Sequence, residues 1–341
     1  MGILNIMNSK IVIQRAALIF VALFLIAGAL IIILDWKEMR QVIGQANWLL
    51  LAPSFLFTGL SYICLSISMA IVFRIFGIKQ DFKYLLRVGF VSNVASTLMN
   101  VGGATGVSLQ YVLLKRRSLA TEDILAASLF QLYFSGLMLI VLLPISLLYI
   151  LFGRQFSSGT ALGFSIATGI LIILLIIAGV VVFSARARVA LLRNLGRVVH
   201  FITRHKIDTA LNDFDNAMTS GATIIRHRPG VLLMLLLVAI GDWVGAITAL
   251  WFCFAALGTF PGVGTLITGF SLGITAGFIS MIPGGLGVQE GSMVGIFTLL
   301  GIPGQTTVLA AILFRIVYYF VPFLVSLGFY HRLLRKSSNT Q

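Results

Sequence analysis

Ile282-Pro283-Gly284-Gly285-Leu286-Gly287-Val288-Gln289-Glu290-Gly291 decides how this chain is read, because it sets a backbone break and a carboxylate inside an otherwise apolar quarter of the sequence. Proline lacks a backbone donor and glycine relaxes the limits on φ, so Pro283-Gly284-Gly285 predicts the end of one helix and the start of another. Glycines recur every four residues on both sides, at Gly269, Gly273 and Gly277 and then at Gly287, Gly291 and Gly295, which gives each arm a bare helical face. Two such arms can pack backbone to backbone, the arrangement by which a re-entrant hairpin hides an interrupted main chain at membrane depth.

The surroundings fit that depth. Of 341 residues 59% are hydrophobic and 10% charged, and the mean hydropathy of +1.06 excludes an ordinary soluble domain. The fold class is an all-α polytopic membrane protein of about six full transmembrane helices plus two glycine-broken hairpins. The expected spans are 16–34, 48–73, 124–152, 161–183, 231–257 and 304–330. A signal peptide is the rival reading of the first, but its apolar core would be shorter and would lead into a polar segment. Pro144 is expected to kink the third span. Cys64 and Cys253 sit in apolar runs without metal-ligand spacing and read as buried small residues.

The formal net charge of +14 has to be read by position before it suggests nucleic acid. With both termini in the cytoplasm, 20 of the 24 Lys and Arg fall in cytoplasmic segments, three lie outside and Arg315 remains within the sixth span. The excess is a topology signal of a cell inner (plasma) membrane protein, and no nucleic-acid partner is implied. Residues 184–228 interleave arginines with Val189, Leu192, Leu195, Val199 and Ile202. That pattern reads either as a basic amphipathic linker on an anionic lipid surface or as a solvated loop that only fixes orientation.

An internal repeat is visible. Met99-Asn100-Val101-Gly102-Gly103-Ala104-Thr105-Gly106-Val107 matches Met281 to Val288 with one residue inserted, and Leu125-Ala126-Ala127-Ser128-Leu129-Phe130 matches Leu309-Ala310-Ala311-Ile312-Leu313-Phe314. Apolar sequence invites chance matches, but two in the same order at nearly one offset favour a repeat. Repeat one covers about 47–152 and repeat two about 229–330. The charge layout gives them opposite topologies, so the paired breaks are expected to meet near the bilayer midplane, as in alternating-access carriers.

Three ionisable residues remain inside expected membrane segments, Asp242, Glu290 and Arg315, and each is a candidate because burial there is costly. Glu290 and Arg315 are close enough in topology to pair, either to serve a substrate or only to neutralise each other and fix the hairpin. Asp242 lies in Gly241-Asp242-Trp243-Val244-Gly245, whose glycines predict close helix packing. The arm that begins at Gly284-Gly285 offers free N–H groups and a positive dipole end, a seat for a phosphate. Gln289 and, in the first copy, Asn100, Ser108 and Gln110 supply uncharged hydrogen-bonding groups. The four histidines fall in expected cytoplasmic segments, and no nucleophile, paired-acid or metal motif suggests an enzyme or a cofactor.

Pro283-Gly284-Gly285-Leu286-Gly287-Val288-Gln289-Glu290 resembles the signature of the lysylphosphatidylglycerol synthase transmembrane family, and the resemblance extends over about 15–330. It implies two re-entrant hairpins and a role in moving a phospholipid, an aminoacylated lipid or a glycan or polyprenyl lipid between leaflets. Glu290 and Arg315 would then bind or gate the head group, with Gln289, Pro283, Gly284, Gly285, Gly287, Asp242, Asn100, Gly102, Gly103 and Gln110 around them. Members that make the lipid carry a soluble aminoacyltransferase domain, which this chain lacks, so synthesis is not expected and a lipid-synthesis enzyme is a possible partner. The first hairpin departs from the family pattern in lacking an acid and a nearby arginine. Without a nucleotide motif, coupling would be passive, ion-driven or potential-driven. The alternatives are a proton-coupled small-solute transporter using Asp242 and Glu290, an integral membrane lipid enzyme, or a scaffold.

Overall fold

The structure, a computed structural model, describes residues 36–99, 103–115, 117, 119–153, 158–203 and 208–335. The expected first span, together with Asn100 and Gly102 of the first break, lies outside the described residues.

Everything described is helical or connecting turn. Helix α1 is Trp36–Gly44, and a 3-10 turn at Trp48–Leu51 leads into α2, Ala52–Ile75. A first pair of short helices follows, α3 (Phe82–Met99) and α4 (Ala104–Lys115), then α5 (Thr121–Gly153) and α6 (Ser158–Phe183). Two amphipathic helices, α7 (Ala185–Thr203) and α8 (Asp208–His227), connect to α9 (Pro229–Ala256). A second short pair, α10 (Val263–Ile279) and α11 (Val288–Leu299), precedes α12 (Gly304–Arg315), which continues through a π turn at Ile316–Phe320 into α13 (Val321–Arg335).

Four helices are long and apolar enough to cross a bilayer: Trp48–Ile75, Thr121–Gly153, Pro229–Ala256 and Gly304–Leu333. A fifth is reached if the pair Ser165–Val180 and Ala185–Asn194, bent by 119°, counts as one span. The paired helices are shorter. At 18 and 12 residues in the first pair and 17 and 12 in the second, they rise about 18–27 Å, short of the roughly 30 Å hydrocarbon core. Each pair is folded back on itself across its glycine break.

At the centre α2 lies against α9. A Cβ on Gly245 would stand 2.8 Å from the Phe57 carbonyl oxygen and 2.9 Å from the Ser61 nitrogen, and one on Gly241 would stand 2.9 Å from Cys64 Sγ. The two glycines therefore set the approach of these helices, as their spacing predicts. Cys253 is buried, whereas Cys64 is only half-buried. Around this axis α5 packs on α10 and α13 packs on α3. Thus α5 covers the first helix of the second short pair, and α13 covers the first helix of the first.

The segment 184–228 is neither a loop nor a free surface helix throughout. Helix α8 packs against α5 with Ala217, Met218 and Ile225 buried in the core, and Gly221 sits where any Cβ would enter the Phe130 ring. Arg188 of α7, 1% exposed, pairs with Asp215 of α8 through Nε at 2.5 Å and donates to Thr219. Arg186, Arg193 and Arg197 remain exposed.

Candidate functional site

Helix α10 stops at Ile279, and the chain reaches α11 through left-handed turns at Met281 (φ 52°), Gly284 (65°), Gly285 (62°) and Gly287 (77°). Three of the four are glycines, as such conformations require of ordinary side chains. Gly285 also lies against the backbone of Gly277, where a Cβ would come within 2.9 Å of the Gly277 Cα. The glycines of α10 face α11: a Cβ on Gly269 would enter the Phe297 ring and one on Gly273 would meet Met293. Those of α11 do not reciprocate. A Cβ on Gly291 or Gly295 would meet nothing within 4 Å. Only one arm therefore uses its bare face, and α11 fills the groove with Phe297, Met293 and Gln289 instead.

The break is held by charge. Glu290 turns back to the start of α11 and accepts from the Gly287 N–H at 2.8 Å through Oε2. Arg315, at the end of α12, donates through Nε to Glu290 Oε1, through Nη1 to the Gly284 carbonyl at 2.5 Å and through Nη2 to Gln289 Oε1 at 3.1 Å. The Tyr319 hydroxyl donates to the same Gln289 oxygen at 3.0 Å, and its ring lies 4.2 Å from the guanidinium carbon. Glu290 and Arg315 are both buried. The π turn that follows Arg315 inserts one residue into the helix and brings Tyr319 onto this cluster.

Glu290 and Arg315, whose pairing the sequence left open, do pair, and Gln289, Gly284 and Gly287 join them. Their hydrogen bonds are spent on the turn itself. The positive end of α11, expected to seat a phosphate, is already occupied by the Glu290 carboxylate, and Pro283 lies exposed on the outer side of the turn. Asp242 stands apart in a second network: Ser61 donates to its Oδ1 at 2.5 Å and lies 2.8 Å from the Tyr318 hydroxyl, while Tyr62 donates to the Tyr318 carbonyl at 3.1 Å. This ties α2, α9 and the π turn together.

Gln110 belongs to neither. It lines a groove of about 580 Å³ formed by α3 and α4 of the first hairpin, by Ser128 to Ile140 of α5, and by Trp243 of α9 and Phe278 of α10. Gly103 (φ 77°) and Gly106 also line it. Gln110 donates to Gln131 Oε1 at 3.1 Å and to Ser92 Oγ at 3.3 Å. Among the described residues, however, Gln110 Oε1, Asn93 Nδ2 and Ser128 Oγ are buried without any hydrogen-bond partner. Each such group costs about 1–3 kcal/mol when left unmade, and all three line the same groove. The second break touches the same hairpin: a Cβ on Gly284 would lie 3.1 Å from the Leu98 carbonyl near the end of α3. Ser108, on α4, is exposed elsewhere.

Sequence reasoning missed Asn93, Ser128 and Gln131. The available signal was an uncharged amide or hydroxyl inside a span, which a search weighted toward charged residues passes over.

The sequence profile of the family described as lysylphosphatidylglycerol synthase TM region matches residues 19–326. A UPF0104 membrane protein of Methanothermobacter thermautotrophicus is 30% identical over 122 residues, 36% of this chain and 34% of the relative. A phosphatidylglycerol lysyltransferase of Staphylococcus aureus is 32% identical over 91 residues, 27% of this chain and 11% of the relative. The chain thus spans about a third or less of the curated relatives it matches.

Proposed function

The chain belongs to the lysylphosphatidylglycerol synthase TM-region family, and on that footing we propose that this multi-pass membrane protein carries a lipid with a polar head group between the two leaflets. The observation that carries the reading is the groove at the first hairpin, where an amide donor, an amide oxygen and a hydroxyl are buried without protein partners while Leu132, Leu139, Ile140 and Phe278 supply apolar wall. A head group entering there would replace water with these groups, while its chains stayed in the bilayer. Candidate lipids are a phospholipid, an aminoacylated lipid or a glycan or polyprenyl lipid.

In this reading the two halves, 47–152 and 229–330, are inverted repeats whose short pairs are re-entrant. Support comes from the exchange of packing across the α2–α9 axis, with α5 on α10 and α13 on α3, and from the meeting of Leu98 with the Gly284 turn. The protein acts as a carrier in the cell membrane with both termini cytoplasmic, and receives its lipid from a separate synthetic enzyme. Glu290 and Arg315 set the break that borders the groove and act on the head group only through that geometry.

Leaflet exchange in proteoliposomes, read with head-group-labelled lipids quenched from outside, tests the proposal. The wild type is expected to exchange a responsive lipid, and Gln110→Leu, which removes the donor to Gln131 Oε1, to remain folded at a modestly lower melting temperature and to slow that exchange at least tenfold. Exchange at protein-free rates across a panel of lipids, with the wild type folded, would refute translocation.

A further inference from the structure

A second concavity, of about 200 Å³, opens at the end of the first hairpin away from its break. Three arginines from three separate parts of the chain converge on it: Arg87 from α3, Arg117 just beyond α4 and Arg332 from the last turns of α13. Arg117 lies over the Tyr84 ring, 4.8 Å from its centroid, and the Tyr84 hydroxyl donates to the Leu113 carbonyl at 2.9 Å. The ring thereby fixes the guanidinium against the wall. Asp81 is the single carboxylate in the lining, so three guanidinium charges face one negative charge. Among the described residues no ion pair ties Arg87, Arg117 or Arg332 to an acid.

We infer that this pocket is a binding site for a terminal phosphate, free or monoesterified, separate from the uncharged groove. Guanidinium forks match phosphate oxygens in pairs, and three of them around one concavity hold a tetrahedral anion from several sides. Charges scattered merely to fix orientation need not converge, whereas these come from segments far apart in sequence. The pocket also shares its helix with the groove, since Asn93 follows Arg87 by six residues of α3, about 9 Å of rise. A phosphate held at the pocket lies at the end of the bundle that the count of basic residues assigns to the cytoplasm. Phosphate binding at this pocket is independent of lipid translocation.

The chemistry is common to a lipid phosphate and a soluble one, and two arms separate them. In the first, the purified full-length protein is equilibrated with mixed micelles of phosphatidic acid and phosphatidylcholine, and retained lipid is counted by native mass spectrometry. In the second, inorganic pyrophosphate is titrated into the protein in detergent without lipid. The expected result is at least tenfold preference for phosphatidic acid, reduced at least tenfold in Arg87→Gln/Arg117→Gln/Arg332→Gln. It should change less than twofold in Arg186→Gln/Arg193→Gln/Arg197→Gln, which removes the same charge from the exposed face of α7. Pyrophosphate binding with the same dependence, without lipid preference, would assign the site to a soluble phosphate. Equal losses in both triple variants, or no binding in either arm, would overturn the inference. Should the pocket variant fail to fold, the triple Arg→Lys variant decides. It keeps the charge but loses the paired geometry, and is expected to weaken binding several-fold; unchanged binding would reduce the site to general charge attraction.

Discussion

Arg315→Met should cost about 3–5 kcal/mol, because it leaves the Glu290 carboxylate buried without its cation. The loss falls on one spot: the Gly284 carbonyl, Gln289 Oε1 and Glu290 Oε1 all lose a donor together. Thermal unfolding in detergent, followed by intrinsic fluorescence, is the measurement, with a large drop in melting temperature expected. Glu290→Gln should be destabilising as well, since it leaves the guanidinium charged and buried. The double variant Arg315→Met/Glu290→Gln should recover much of the loss, as the removal of a whole buried pair commonly does. Additive losses would mean that the two side chains act independently and that the pair does not hold the turn.

Gly285→Val should be nearly as damaging, for steric reasons. A β-branched residue at φ 62° is strained by roughly 1–2 kcal/mol, and its Cβ would stand 2.9 Å from the Gly277 Cα, backbone that cannot turn aside. Overpacking adds about 1–3 kcal/mol. Gly291→Ala is the contrast, because it lies inside α11 with open space around it. There the substitution is expected to be neutral or to raise stability by up to about 1 kcal/mol through helix propensity. The two melting temperatures measured side by side separate the glycines that close the hairpin from those that merely occur in it. Equal effects would show that the α10–α11 contact is not what the glycines serve.

These contrasts mark how far the sequence could be read. The break at Pro283-Gly284-Gly285, the short paired helices and the α2–α9 approach at Gly241 and Gly245 follow from local chemistry, because proline and glycine each permit few solutions, whereas the sequence marked Glu290 and Arg315 as buried charges without deciding that they pair. The direction of the glycine face on α11 was not legible. A four-residue spacing gives a bare face but not the neighbour it meets, and here Gln289, Met293 and Phe297 occupy the contact. The use of Glu290 to cap its own helix was equally hidden, since a carboxylate at a third helical position can serve the turn or a ligand with the same spacing. The groove was the hardest to see. Asn93, Gln110 and Ser128 come from three helices, and no interval in sequence links them.

Entry of a polar head group into that groove is tested most directly by photocrosslinking in reconstituted bilayers. A lipid that the protein exchanges, carrying a diazirine in its head group, would be photolysed and the modified peptides mapped by mass spectrometry. Adducts are expected within 93–110 and 128–140, largely lost in Gln110→Leu. Adducts confined to the lipid-facing surface of α6, around Ile166, Ile170 and Ile173, with the groove segments unmodified, would contradict it.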